Sequence, residues 1–88
     1  MVEVSYKIKN EEGLHARPAS DFCKTAERFK SDITVFKDGE GFEAKSILMV
    51  LCLGAVKGDV IKLRAEGEDE QQAIDALIET LDLSLIHI

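Results

Sequence analysis

The sequence predicts a single α+β domain, an open-faced β-sandwich in which three helices cover one face of a four-stranded, mostly antiparallel sheet. The first observation is the order of periodicities. Segments with alternating apolar residues, typical of strands, are interspersed with segments of helical spacing in the order β-α-β-β-α-β-α. The second observation is that each predicted strand has only one apolar side. All helices can therefore lie on the same face of the sheet.

The first half of the chain is predicted to form three strands and one helix. Residues 2–9 alternate without a break, and residues 32–36 and 41–44 predict two further strands joined by an Asp-Gly hairpin turn at residues 38–39. A helix is expected from residue 16 to about residue 29, because one apolar stripe recurs there at helical spacing. That stripe consists of Ala19, Phe22, Cys23, Ala26 and Phe29.

The second half is predicted to form two helices and the last strand. Ser46 is expected to cap a short helix through Leu53, which Gly54 ends. Residues 59–66 alternate again and predict a strand, and Asp69 is expected to cap the final helix. The buried face of that helix is predicted to consist of Ala73, Ile74, Leu77, Ile78 and Leu81.

The end of the sequence does not fit this domain. Residues 83–88, LSLIHI, are mostly large and apolar where a helix at a protein surface should end in polar residues. We therefore expect the domain to span residues 1–82, and we interpret residues 83–88 as a non-native or disordered tail.

Length, charge and composition limit the classes of function. A chain of 88 residues fits one domain without a deep substrate cavity, and its net charge of −6 argues against a nucleic-acid partner. No apolar run approaches the ~20 residues that span a membrane, so we expect a cytoplasmic protein without membrane insertion. Cys23 and Cys52 lack the spacing of a disulfide framework or metal site, and we expect Cys23 to be buried. Neither a metal nor a cofactor is expected.

The run GLHARPAS, residues 13–20, places a histidine directly before a predicted helix. Pro18 suits a first helical turn, where its missing N–H costs nothing. The free N–H groups and positive dipole end of this helix favour an anion such as a phosphoryl group, and Arg17 adds a planar fork of donors. Since imidazole can act as a nucleophile, the residues predict a phosphohistidine site with His15 as the acceptor. The alternative is a loop histidine beside a helix start.

The same helix carries charged residues at spacings of four, three and four, which places them on one outer face. These residues are Arg17, Asp21, Lys24 and Arg28. The basic members predict a surface for acidic partner proteins, and the alternative is an ordinary solvated face.

Residues 47–53 form an uninterrupted apolar run in the short second helix. A short surface helix cannot bury every side, so we expect Ile47, Leu48 and Leu51 to stay exposed as a docking patch. The alternative is an unusually buried helix. Ser46 has two interpretations as well. It is either only a helix cap or also a phosphorylation site, because added negative charge is locally favourable at a helix start.

These motifs resemble those of the HPr family, the small phosphocarriers of the bacterial phosphoenolpyruvate-dependent sugar phosphotransferase system. GLHARPAS resembles the active-site signature of the family, and residues 45–47 followed by 53–54 resemble its second signature. Residues 67–70 begin a last helix where the family has one. The resemblance covers about residues 2 to 82 and implies an HPr-like sheet with strand order 1-4-2-3.

The resemblance implies a phosphoryl carrier rather than an enzyme. It implies that enzyme I phosphorylates Nδ1 of His15, that Arg17 stabilises the phosphoryl group, and that IIA domains of sugar permeases then accept it. It also implies that an HPr kinase/phosphorylase modifies Ser46 and that a catabolite repressor binds the product. The expected partner-binding residues are Ser20, Lys24, Arg28, Ile47, Leu48 and Leu51. A monomer is expected, and Met49 departs from the glycine that the family commonly has there.

Three other functions are alternatives, the first two of which come from the resemblance to the HPr family. One is a regulatory paralogue whose main output is the Ser46-phosphorylated form, although such members typically lack the active-site histidine that is present here as His15. Another is the nitrogen-branch phosphocarrier, which shares the GLHARP-type motif. The third is an acylphosphatase-like hydrolase, which would require a phosphate-binding loop that the sequence does not contain.

Overall fold

The computed structural model describes residues 1–9 and 16–83, with side chains for residues 1–9 and 18–82. The elements follow the predicted order. They are β1 (Val2–Lys7), α1 (Ala16–Glu27), β2 (Asp32–Lys37), β3 (Glu40–Glu43), α2 (Ile47–Cys52), β4 (Val60–Glu66) and α3 (Glu70–Leu83). The strands form one sheet in the order β1-β4-β2-β3, and every neighbouring pair is antiparallel. The predicted fold class and strand order are confirmed.

The core lies between the helices and one face of the sheet. In the central strand β4, Leu63 pairs with Val4 of β1 and Val35 of β2, so that an apolar row crosses the sheet. Phe22 of α1 and Leu77 of α3 have no exposed surface and belong to the same cluster of buried residues as this row. Alternation at a period of two in the strands and the helical stripes therefore produce one continuous core.

The hairpin between β2 and β3 forms at Asp38 and Gly39, as the sequence predicts. Both residues have positive φ, 53° and 82°, which a tight two-residue hairpin turn of this type requires. The turn therefore fixes the register in which Lys37 pairs with Glu40.

Several boundaries differ from the predictions by one or two residues. Helix α1 ends at Glu27 because the amides of Arg28 and Phe29 donate to carbonyls three residues earlier, which tightens the last turn. Strand β1 ends at Lys7, although Ile8 still exchanges backbone hydrogen bonds with the turn before β4. Helix α3 reaches Leu83, and the rest of the predicted tail lies outside the described residues.

Asp69 precedes α3 as predicted, and its carbonyl accepts the amide of Ala73. Its carboxylate, however, accepts the amides of Lys30 and Ser31 at 2.9 and 3.0 Å, and also the Ser31 hydroxyl. Asp69 thus joins the loop after α1 to the start of α3. Glu70 accepts the Gly67 amide at 3.2 Å, so the entry to the helix is held by the residue after Asp69.

Candidate functional site

The predicted phosphohistidine site is at the start of α1. His15 and the side chain of Arg17 lie outside the described residues, so their predicted roles remain predictions. The helix begins at Ala16, and Pro18 is buried in its first turn. This first turn contains no acidic residue. The positive end of the α1 dipole is therefore not neutralised by a carboxylate of its own first turn.

A shallow groove runs between α1 and α2 and has a volume of about 250 Å³. Three predicted partner-binding residues, Ser20, Lys24 and Ile47, line it together. The remaining lining residues are Cys23, Glu27 and Lys45. The structure thus brings part of the charged face of α1 and the start of the α2 apolar run to one surface.

The predicted exposure of α2 is confirmed. Ile47, Leu48 and Leu51 are 38%, 71% and 40% exposed, whereas Val50 is fully buried. Met49 is also 38% exposed, although it was not among the residues predicted for the patch. A helix of six residues can turn only one side to the core, and Val50 occupies that side. We call Ile47, Leu48, Met49 and Leu51 the α2 patch.

Arg28 is the predicted partner-binding residue at the C-terminal end of α1. It lies after the last residue of α1, its side chain is exposed, and its guanidinium carbon is 5.6 Å from the centre of the Phe29 ring. Arg28 is not among the residues that line the groove, whereas Lys24 is. The amide of Arg28 still donates to the Thr25 carbonyl at 3.1 Å, so Arg28 lies on the tightened turn that continues α1, and the charged face it was predicted to share with Arg17 stays a prediction.

Ser46 caps α2, as predicted. Its backbone is extended, with φ −102° and ψ 116°, and its hydroxyl oxygen accepts the amide of Met49 at 3.4 Å. This distance is at the long end for a hydrogen bond, and the side chain is partly exposed. The cap function of Ser46 is thus confirmed, whereas its phosphorylation stays a prediction.

Cys23 is buried, as predicted, yet its thiol has polar partners. Its Sγ lies 2.9 Å from the Lys45 carbonyl oxygen and 3.4 Å from a Glu27 carboxylate oxygen, and its single proton is donated to the nearer Lys45 carbonyl. Burial and, after it, the Glu27 carboxylate raise the pKa of this thiol, which makes it a poor nucleophile. The sequence offered no signal for this contact, because Cys23 and Lys45 are far apart in the chain.

The parts of the chain that the structure describes contain no cluster of three or more His, Cys, Asp or Glu side chains that could hold a metal ion. Within the same residues, no helix is both long and apolar enough to cross a bilayer.

Comparisons with known proteins agree with the fold and the motifs. Residues 2–82 match the family model described as the PTS HPr component phosphorylation site. The chain is 42% identical over 82 residues to phosphocarrier protein HPr of Vibrio cholerae, which covers 93% of this chain and 96% of the relative. It is 46% identical over 78 residues to the HPr-like protein Crh of Halalkalibacterium halodurans, which covers 89% of this chain and 93% of the relative.

A solved structure gives the same result. The crystal structure of HPr-C-His from Thermoanaerobacter tengcongensis has a TM-score of 0.90 and 50% sequence identity, covering 93% of this chain and 92% of that chain. The family model, the sequence relatives and this structure all cover nearly the whole described domain. The chain therefore belongs to the HPr family, the phosphocarrier proteins of the phosphotransferase system.

Proposed function

We propose that this chain accepts a phosphoryl group from enzyme I on Nδ1 of His15 and passes it to IIA domains of sugar permeases. The observation that carries the proposal is the start of α1 directly after His15, with a first turn that contains Pro18 and no carboxylate. In the transfer, the lone pair of neutral imidazole forms a bond to phosphorus while the bond from phosphorus to the donor breaks. The free N–H groups of the helix start and Arg17 stabilise the phosphoryl oxygens.

Partner binding is assigned to the surface beside this helix start. The groove between α1 and α2 supports this, because it places Lys24 next to Ile47 and the α2 patch. Apolar contacts can then supply affinity while the lysine steers an acidic partner. Ser20 and Arg28 complete the proposed surface, with Arg28 at its edge beyond the end of α1.

Ser46 is proposed as a regulatory phosphorylation site for an HPr kinase/phosphorylase, with a catabolite repressor as the partner of the modified form. The hydroxyl is partly exposed and directly adjoins the α2 patch through Ile47. Phosphorylation would add about two negative charges there, which opposes the docking of apolar and acidic surfaces. A regulatory paralogue remains the second candidate, because one relative with 46% identity is an HPr-like protein Crh.

The main test is the transfer of radiolabel from phosphoenolpyruvate in the presence of purified enzyme I. We expect one label per chain that is acid-labile and base-stable, and we expect a purified IIA domain to remove it. A chain that takes no label from enzyme I, but is labelled by the kinase and ATP, would favour the regulatory paralogue. We also propose that the chain is a cytoplasmic monomer, which light scattering of the purified protein and cell fractionation can test.

A further inference from the structure

Helix α2 depends on its surroundings for its position more than the other helices do. It has six residues, and only Val50 among them is buried, with Leu53 added at its C-cap. Isolated helices of fewer than about 12 residues are marginal in water, so α2 cannot hold its own conformation. Its orientation is set by the burial of Val50 and Leu53 in the core together with the contacts at its two ends.

The N-terminal end is attached to α1 through Lys45. The Lys45 ammonium donates to the Phe29 carbonyl at 2.8 Å, and the Lys45 carbonyl accepts the Cys23 thiol at 2.9 Å. Phe29 follows the C-terminal end of α1, where exposed carbonyls favour a cation. The residue directly before Ser46 is thus bound to α1 by both its side chain and its backbone.

The C-terminal end is attached to the sheet through Lys37. The ammonium of this β2 residue donates to the Gly54 carbonyl at 3.1 Å and lies 3.2 Å from a carboxylate oxygen of Asp59. The same oxygen accepts the Val56 amide at 3.0 Å. The segment that follows α2 is therefore held to β2 by a lysine, as the segment before it is held to α1.

We propose that Lys37 and Lys45 are positioning residues, which preorganise the α2 patch and Ser46 for partner binding. Lys45 holds the segment before α2 and Lys37 holds the segment after it, and we call these two contacts the bracket of α2. Lys37 is not among the residues that line the groove. A partner then meets an α2 patch already in its bound orientation and need not order it on binding. This inference rests on the proposed docking function, but the bracket itself can be measured without any partner.

The test compares Lys37→Met and Lys45→Met with the control variant Lys30→Met. Lys30 is exposed, and its replacement removes the same charge. Amide hydrogen exchange followed by NMR reports α2 through the hydrogen-bonded amides of Val50 and Leu53, with β4 amides as the internal reference. In Lys37→Met and Lys45→Met we expect α2 amides to exchange about tenfold faster with β4 unchanged, since one charge-assisted hydrogen bond is lost. Lys30→Met should leave both sets unchanged.

The second measurement is enzyme I-dependent phosphorylation of the same variants. The KM for this chain should rise about threefold while kcat stays constant, because the phosphoryl chemistry is not touched and only preorganisation is lost. Lys45→Arg keeps a cationic donor, so its KM and its α2 exchange rates should be close to those of the unsubstituted chain. Equal acceleration of β4 and α2, unchanged α2 exchange, or an unchanged KM in Lys37→Met would each overturn the inference. If enzyme I does not phosphorylate the unsubstituted chain, the docking role falls with the proposed function, while the exchange data still decide whether the bracket exists.

Discussion

The starts of α1 and α3 differ in whether carboxylates of the chain itself supply negative charge to the helix start. At α3, the chain provides it, because Asp69 precedes the helix and Glu70 is in its first turn. The first turn of α1 has no acidic residue and carries Arg17. Helix starts favour anions, since their N–H groups are free and the dipole is positive there. The α3 start is thus completed internally, whereas we propose that α1 receives its anion from outside as a phosphoryl group.

The carboxylate at α3 also has a structural task. The Asp69 carboxylate accepts the backbone amides of Lys30 and Ser31, which are 39 and 38 positions away in sequence. It therefore fixes the start of α3 against the loop that follows α1. The close packing there leaves no room for a side chain at Gly67, whose Cβ would lie 2.6 Å from the Ser31 hydroxyl. We call this contact of Asp69 and Gly67 with Lys30 and Ser31 the α3 joint. Substitutions there should change the stability of the fold, whereas substitutions at the start of α1 should change phosphoryl transfer.

The largest effect is expected for His15→Ala. If His15 is the phosphoryl acceptor, this variant takes no label from enzyme I, because the second histidine of the sequence, His87, is outside the GLHARPAS motif. Its thermal melting should match that of the unsubstituted chain, since the sequence places His15 before the helix and not on the apolar stripe of α1. Labelling that remains at the original level would show that the acceptor lies elsewhere.

Arg17→Lys should slow phosphoryl transfer by about tenfold or more. Lysine keeps the charge but loses the planar fork of donors, and one hydrogen bond to a charged group contributes about 1.5–3 kcal/mol. Arg64→Lys is the matched control, because Arg64 contacts Glu3 and the Phe36 ring and is separate from the groove. Stopped-flow or quench measurements of the first-turnover rate distinguish the two. Equal rates for both variants would make Arg17 an ordinary surface charge.

Ser46→Asp should reduce enzyme I-dependent phosphorylation of His15 several-fold, since it places a charge beside the α2 patch. Its melting temperature should be unchanged or slightly higher, because the aspartate is favourable at the start of α2. Ser46→Ala separates the two effects: it removes the cap and should lower the stability by about 0.5–1 kcal/mol without adding charge. Phosphorylation of Ser46→Asp at the full rate would show that the α2 patch is not the docking surface.

The sequence predicts the parts of this comparison that depend on local pattern. The alternation of Val2, Val4 and Tyr6 and the stripe of α1 follow from periods of two and 3.6, so strands, helices and core faces could be assigned. Exposure of Leu48 was also predictable, because a short helix cannot bury seven consecutive apolar residues. Strand order came from the family resemblance and not from these patterns.

Long-range hydrogen bonds could not be predicted in this way. Asp69 has the sequence position of a helix cap, yet its carboxylate binds Lys30 and Ser31, which only the packing of α1 against α3 brings near. The same holds for Lys45 and Phe29. The early end of α1 also follows from three-residue hydrogen bonds that leave no signature in the residue types. Local rules thus identify elements and candidate residues, and tertiary contacts decide which polar groups meet.

The smallest expected effect is a pH dependence of the α3 joint. The Ser31 hydroxyl and then the Lys30 amide hold the pKa of Asp69 below its ordinary value of 3.8. Since the folded-state pKa is the lower one, Asp69 stabilises the fold fully at pH values well above 3.8 and loses this contribution as the pH falls through the depressed value. Asp69→Asn, which cannot accept all these donors, should melt several degrees lower near neutral pH.

That difference in melting temperature should shrink on acidification, because the carboxylate of the unsubstituted chain becomes protonated. Ser31→Ala removes the hydroxyl donor but keeps both backbone amides, and it should give an intermediate loss with a weaker pH dependence. Thermal melts of the three proteins between neutral pH and pH values below 3.8 test this directly. A constant difference across the range would mean that the charge of Asp69 contributes nothing, and that the α3 joint is held by the shape of its packing against Gly67 and Ser31 instead.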